Sequence, residues 1–498
     1  LLKNLLSRLS KQQLRFIYLV AGIAVAQFFY LVNPFRADEN GCLVLSIAAL
    51  MISWWVTEAL PMPVVALLPL VLFPLLNIAE IKPVAANYTD PVIFLFMGGF
   101  MLGLAIEKWN LHRRIALRIV KMTGTSGNRI ILGFILATGL ISMWISNTAT
   151  TMMMFPIALS VIHVMKESND GTGHFKHFNL ALMLSIAYAS NFGGISTIIG
   201  TPPNVAFVGF FEKKYNSNID FINWMLLCTP LAILLLLALH FVLTRILFPN
   251  HIRPNEAARR FIHEEYERLG PLSVSEKRVL VIFCFTALLW MCKDLVNGIQ
   301  SLVKLDDSII ALIGAVSLFI CPSGNAGPPD NLSEPDEHAF SGSLLEWSDT
   351  KRMAWGILLL FGGGLALAGA LEKAGLIQQL GNWLSAYAGG GLFLVLMVTV
   401  ISLFISEVMS NIAQVIVFSP VVCSLADAVG MNPLLLGIPM TLAASCASMM
   451  PMGTPPNAIV FASGQIKIRQ MMMAGLVMNL VAIALITLFS WFLLPRII

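Results

Sequence analysis

The sequence holds 498 residues, of which 57% are hydrophobic and 12% charged, about half the charged share of a soluble domain. The formal net charge is +4, with no Lys and Arg run interleaved with aromatics, so a nucleic-acid partner is excluded. Seven cysteines are scattered without a CxxC pair and read as small core residues, which excludes a disulfide framework or a zinc site.

The chain starts on Leu1, which reads as a trimmed or processed end. Residues 14–31 are apolar over too long a stretch for a cleaved signal peptide and read as a first membrane span. A spanning helix needs about 20 mostly apolar residues. Candidates lie at 14–33, 42–60, 63–77, 91–107, 222–248, 278–297, 306–321, 355–372 and 471–494. Two longer regions, 130–213 and 391–464, are apolar but broken by Gly, Pro, Ser, Asn and Thr. Breaks survive at membrane depth only where backbone is buried in protein or lines a wet cavity. Each region therefore reads as a re-entrant hairpin (around 130–165 and 391–428) followed by a broken helix (around 178–213 and 433–464). The expected fold is an all-α polytopic membrane protein with about eleven transmembrane segments and two hairpins. Between the spans, the Arg-rich stretch 249–277 reads as a cytoplasmic loop, and 322–353, rich in Gly, Pro, Asp and Glu, as a flexible one.

An internal repeat organises these elements. Residues 96–108 read FMGGFMLGLAIEK and 361–373 read FGGGLALAGALEK. SNTATTMMMFP at 146–156 is answered by SNIAQVIVFSP at 410–420, and GTPPN at 200–204 recurs intact at 453–457. Three matched features in one order define two repeats, 41–248 and 278–498, after an N-terminal segment 1–40 carrying the first span. Lys and Arg favour cytoplasmic connections. Residues 108–129 carry six of them, while the equivalent 373–390 carries only Lys373. One arm is thus inside and the other outside, so the repeats are inverted, and Lys3, Arg8, Lys11 and Arg15 place the N-terminus in the cytoplasm. Lys213 and Lys214 fall outside, against the trend. Both arms space apolar residues helically (Leu111, Ile115, Ile119; Leu376, Leu380, Leu384) and read as amphipathic helices along the interface. Inverted repeats with breaks at matching positions are the pattern of secondary transporters, whose site lies at the repeat interface near the midplane.

The motifs suit that task. A hairpin tip leaves unpaired N–H groups where its second helix begins, and such N-termini favour anions. Asn, Ser and Thr add donors, while the same side chains and the carbonyls of the GTPPN breaks offer neutral oxygens to a hard cation. No Lys or Arg occurs in 130–165, 178–212 or 391–466. An anion there needs helix termini, hydrogen bonds or a co-bound cation to neutralise it, which motivates cation-coupled transport. Gly98, Gly99, Gly363 and Gly364 read as close-packing positions, and Met152, Met153 and Met154 as lipid-facing or core filling. Glu107 and Glu372 read as structural. Glu407, near Ser410, fits either hairpin support or cation binding. No nucleophile, base and orienting group occur together, so no enzyme is expected. An anion channel remains the rival from another class.

At these residues the sequence resembles the divalent anion/sodium symporter family, which includes sodium-coupled dicarboxylate and citrate carriers and related exchangers. The resemblance spans nearly the whole chain. It implies a homodimer in the plasma membrane, each protomer moving a transport domain by an elevator motion against a scaffold, with Na⁺ as coupling ion and no other cofactor. It also implies that Ser146, Asn147 and Thr148 hold one substrate carboxylate and that Ser410 and Asn411 hold the other. Thr201, Pro202, Pro203, Thr454, Pro455 and Pro456 would shape the breaks beside the substrate. A first sodium site would use Ser142, Ser146, Asn147 and Gly200. A second would use Ser406, Asn411 and the backbone of Met409 and Gly453. Ile412 stands where the first motif has Thr148, and Gln414 where a small or hydroxylated residue is common. The leading expectation is a sodium symporter for succinate, malate or fumarate, with a sodium-independent exchanger or a tricarboxylate or sulfate carrier as alternatives.

Overall fold

The structure, a computed structural model, describes residues 10–168, 173–250, 252–254, 256–299, 304–324, 342–386 and 389–497. Lys3 and Arg8, and residues 325–341 of the expected flexible loop, lie outside the described residues. Among the described residues the chain is all helical, and nine helices are long and apolar enough to cross a membrane.

The chain opens with α1 (Lys11–Val32), started by a Ser10–Gln13 capping box, which packs along α2 (Glu39–Thr57). The run expected as a span at 63–77 divides into two pieces, α3 (Met62–Val65) and α4 (Leu68–Leu75). Pro69 lies in the first turn of α4, where a proline suits a helix start and not a helix interior. After α5 (Ile81–Ala86), Asp90 caps α6 (Pro91–Lys108). Next come α7 (Leu111–Thr123), α8 (Gly127–Ser142), α9 (Asn147–Ser168), α10 (Gly173–Gly194), α11 (Pro202–Tyr215) and α12 (Phe221–Phe241). The Arg-rich connection holds α13 (Glu256–Arg268), followed by α14 (Val274–Ile299) and α15 (Asp307–Ile320). At about 21 Å, the 14 residues of α15 are shorter than a span.

The run from α16 onward follows the order of α6 to α12. It comprises α16 (Trp355–Lys373), α17 (Leu376–Ser385), α18 (Gly391–Ser406), α19 (Asn411–Ala428), α20 (Leu434–Ser445), α21 (Pro455–Ala462) and α22 (Ile468–Phe492), before a short α23 (Leu494–Ile497). Packing is reciprocal between the halves: α9 touches α21 as α19 touches α11, and α10 touches α21 as α20 touches α11. Such exchange is what a two-fold relation between equivalent units requires. The C-terminal end of α6 lies beside the turn that starts α16, joined by Lys108–Asp349 at 2.7 Å and by the Arg352–Glu107 pair. These two helices therefore run antiparallel, as inverted repeats require.

Small residues let the layers meet. A Cβ on Gly98 would lie 2.7 Å from the Ala311 backbone of α15, and one on Gly363 would lie 2.3 Å from the Ala66 carbonyl. Both are close-packing positions, as their pairing in the sequence suggested. Of the seven cysteines, Cys42, Cys228, Cys423 and Cys446 are buried, but Cys284 is exposed on α14 and Cys292 and Cys321 are half-buried. The core reading holds for four and fails for Cys284, which occupies the outer face of a helix long and apolar enough to span.

The arm α7 is anchored by a charge. Arg114 is buried, donates to both Glu276 oxygens at 2.8 and 3.2 Å, and also reaches the carbonyls of Leu269 and Gly270. Removing one partner of a buried, hydrogen-bonded pair costs about 3–5 kcal/mol. Arg114→Ala is expected to lower the melting temperature of the detergent-purified protein markedly. Arg113→Ala, which frees a more exposed bond to Glu265, is expected to change stability by less than about 1 kcal/mol.

Candidate functional site

The two hairpin tips are built alike. The helix α8 stops at Ser142 and α9 starts at Asn147; at the matching place in the second half, α18 stops at Ser406 and α19 starts at Asn411. Ser146 caps α9 with its hydroxyl, accepting from Ala149 N at 3.3 Å. The breaks are also alike. Thr201 and Thr454 are extended, and each is followed by a proline in the first helical position of α11 or α21. Asn204 Nδ2 staples the first break by donating to Thr197 O at 2.8 Å, while Asn457 Nδ2 donates to Ala447 O and Met450 O at 3.2 Å. The recurrent Asn of GTPPN thus holds the loop that the prolines open.

Tips and breaks meet around one cavity of about 610 Å³. Its wall includes Ser146, Asn147, Thr148, Thr201, Pro202, Asn411, Ile412, Thr454, Pro455 and Pro456. The helices α9, α11, α19 and α21 therefore all turn their N-termini toward it, two from each repeat, where helix dipoles and free N–H groups favour negative charge. Among the described residues on the wall the only Lys or Arg is Arg352, at the α6–α16 end with Glu107 and His112. Burial holds the His112 imidazole below its ordinary value. Its Nδ1 lies 2.9 Å from Ile106 O, so the neutral ring carries its proton on Nδ1. A second cavity of about 350 Å³, lined by Asp38, Asn87, Lys213 and Lys373, sits at the opposite end of α16.

Several expected positions lie behind this wall. Ser142 Oγ is 2.7 Å from both Asn147 Oδ1 and Ser190 O. One hydroxyl proton faces two acceptors there, an excess of oxygens that suits a small hard cation. A Cβ on Gly200 would lie 3.0 Å from Met143 O, and one on Gly194 would lie 2.2 Å from Asn147 Oδ1. Ser142, Asn147 and Gly200 thus share one neighbourhood with Ser190 and Gly194, which the sequence reading missed. In the second repeat Ser406 Oγ donates to Ala444 O at 2.6 Å, and a Cβ on Gly453 would lie 3.4 Å from Ser406 O. Met409 lies in the tip between Ser406 and Asn411, half-buried. Ser410 precedes α19 and accepts Gln414 N through its carbonyl, but it is not on the cavity wall. Pro203 is buried away from the wall in the same way.

Other residues found roles that their types did not announce. Met152 and Met153 line the cavity, whereas Met154 is buried in the core, so the Met cluster is divided by the helical turn rather than uniformly lipid-facing or core. Glu107 pairs with Arg352 at the mouth. The buried Glu407 accepts from three backbone N–H groups of the second break, at Ser448, Met449 and Met450, and from Asn479. That favours hairpin support, with the carboxylate next to Gly453. Thr197 ties the first tip to its break with a neutral bond to Met143 O at 2.5 Å.

The family model described as the sodium:sulfate symporter transmembrane region matches residues 11–496. The sodium-dependent dicarboxylate transporter SdcS of Staphylococcus saprophyticus subsp. saprophyticus is 38% identical over 473 residues, 94% of this chain and 89% of that protein. Its counterpart in Staphylococcus aureus (strain MRSA252) is 37% identical over 468 residues, covering 93% and 88%. Among solved structures, the Alcanivorax borkumensis YdaH transporter matches with a TM-score of 0.55 at 14% identity, over 83% of this chain and 88% of that one. Neisseria gonorrhoeae MtrF matches with a TM-score of 0.55 and 14% identity, over 84% of each. These two share the fold alone.

Proposed function

Because the chain belongs to the sodium:sulfate symporter family, we propose that it is a plasma-membrane carrier taking C4 dicarboxylates such as succinate, malate and fumarate into the cell with Na⁺. The observation that carries this reading is the convergence of four helix N-termini from two inverted repeats on one cavity. Such a cavity attracts a dianion without fixed cations in the tips, and leaves neutralisation to co-bound Na⁺. Ser146, Asn147 and Thr148 hold one carboxylate; Asn411, with Ser410 behind it, holds the other. The oxygen-rich ground around Ser142, Asn147 and Gly200 takes one Na⁺. The equivalent ground around Ser406, Met409, Asn411 and Gly453 takes a second.

The same reading makes α8–α9 and α18–α19 re-entrant hairpins of a transport domain, in a homodimer of such protomers. The cavity runs toward the α6 end, where Lys108, Arg113 and Arg114 mark the cytoplasm, so the state is inward-open. The second cavity, at the opposite end of α16, is where the exchanged repeat would open outward. Gly99 and Gly364 support an elevator motion: a Cβ on them would come within 3.0 Å of Ile199 and 2.4 Å of Ile416, so smooth helix surfaces face the moving elements.

Radiolabelled succinate uptake into proteoliposomes tests the proposal, under an inward Na⁺ gradient or with K⁺ replacing Na⁺. Uptake is expected to require Na⁺ and to saturate. Uptake that ignores Na⁺ but needs internal succinate would make the protein an exchanger, and uptake that never saturates would make it a channel.

A further inference from the structure

Asn191 belongs to neither half-site described above, yet it joins them. It lies in α10, is fully buried, and contributes to the cavity wall. Its Nδ2 donates to Thr454 Oγ1 at 3.0 Å, so a side chain of the first repeat is fastened to the break of the second. Its Oδ1 has no hydrogen-bond partner among the described residues. A substrate held by one carboxylate at Asn147 and the other at Asn411 crosses this seam with its middle carbons. Asn191 shares the cavity wall with both tips, Asn147 and Asn411, so on the carrier reading the unspent acceptor faces the substrate's chain.

The seam is also one-sided. Ser142 donates to Ser190 O and Ser406 donates to Ala444 O, so the residues that follow, Asn191 and Ser445, are equivalent. Asn191 is on the cavity wall and Ser445 is not. The wall carries Asn411, Ile412 and Thr454 on the second repeat's side, and Thr148, Thr150, Ile145 and Ile199 on the first repeat's. A buried acceptor left without a donor is unfavourable, and a ligand that supplies an O–H recovers that loss. A methylene cannot. The carboxylates are acceptors when ionised, so within a C4 dicarboxylate the donor must be a hydroxyl on a middle carbon.

We infer that Asn191 is a specificity-determining residue that accepts a hydrogen bond from the hydroxyl of a 2-hydroxy C4 dicarboxylate. The inference rests on the carrier reading and adds the substrate subclass.

The test is Na⁺-driven uptake of succinate and malate by wild-type protein and by Asn191→Leu in proteoliposomes. Wild type is expected to favour malate over succinate by about tenfold in kcat/KM, the worth of one net hydrogen bond. Asn191→Leu is expected to lose the malate preference, read as the ratio of malate to succinate kcat/KM within the same variant. Asn191→Ser, smaller and polar, serves if the leucine variant fails to fold. Equal losses for both substrates would show a structural role and overturn the inference, as would a preference that survives the substitution. A wild type that takes up succinate with Na⁺ but ignores the hydroxyl overturns the inference alone. Absence of any Na⁺-driven uptake overturns the carrier reading and the inference together.

Discussion

Asn147→Ala is expected to lower Na⁺-driven succinate uptake by about 100-fold or more, and Asn411→Ala by a similar factor. Each asparagine opens a hairpin's second helix, so its side chain stands where the proposed substrate and cation grounds adjoin. Asn147 Oδ1 is 2.7 Å from Ser142 Oγ, on the oxygen-rich side, while the residue also forms the cavity wall. Truncation removes a hydrogen bond to a charged group, worth about 1.5–3 kcal/mol. It also removes a ligand from the proposed cation whose binding would drive uptake. Each loss alone is about tenfold or more, and the two compound because one step needs both. Ser410→Ala, behind the cavity wall, is expected to lose less than about tenfold by the same arithmetic. Purified variants with unchanged size-exclusion profiles and melting temperatures establish that folding is retained. An Asn147→Ala carrier working at a third or more of the wild-type rate would remove the residue from the site.

What the sequence disclosed and what it hid divide along a physical line. Recurrence exposed the SNT tips, the GTPPN breaks and the Gly pairs, because two copies under one geometry keep the residue types that geometry demands. Inversion was legible in Lys and Arg alone, since membrane insertion sorts charge. The structure supports it independently through the Lys108–Asp349 bond between the end of α6 and the start of α16. Partners that meet only after folding left no local mark. Ser190 and Gly194 surround the first tip, but nothing in an apolar helix distinguishes a serine that turns its carbonyl toward Ser142. The wall positions Met152 and Met153 follow from the rotation of α9 about its axis, which a run of three methionines does not specify. The break within the 63–77 run left no mark in hydropathy, whereas backbone geometry makes Pro69 a helix start. Likewise Asn191 lacks a repeat mate of its own type, so the comparison that revealed the motifs passed over it.

Glu407 separates the two halves of the site most sharply, and its replacement carries the largest expected structural effect. In the first repeat the tip is tied to its break by one neutral bond, from Thr197 to Met143 O. In the second, Oε1 of Glu407 accepts from Ser448 N at 2.8 Å, Met449 N at 2.9 Å and Asn479 Nδ2 at 2.7 Å. Its Oε2 accepts from Met450 N at 2.8 Å. Three successive N–H groups wrapped around one anion form a nest, here filled by the protein's own side chain. Glu407→Ala empties it and leaves these donors buried, at about 1–3 kcal/mol each. The sum approaches the whole stability of a typical domain, so a well-folded carrier is not expected from that variant. Glu407→Gln keeps the shape and one accepting oxygen, and is expected to fold with a lower melting temperature. Its amide turns a donor toward backbone N–H groups, which displaces residues 448–453 and with them the Gly453 backbone. The glutamine variant should therefore lose much of the stabilisation that added Na⁺ gives the wild type, while Thr197→Val, acting on the first break, should lose less. Thermal unfolding of the three proteins across a Na⁺ series decides it. Equal Na⁺-induced shifts in wild type and Glu407→Gln would mean that the carboxylate supports the hairpin without placing the second cation's ligands.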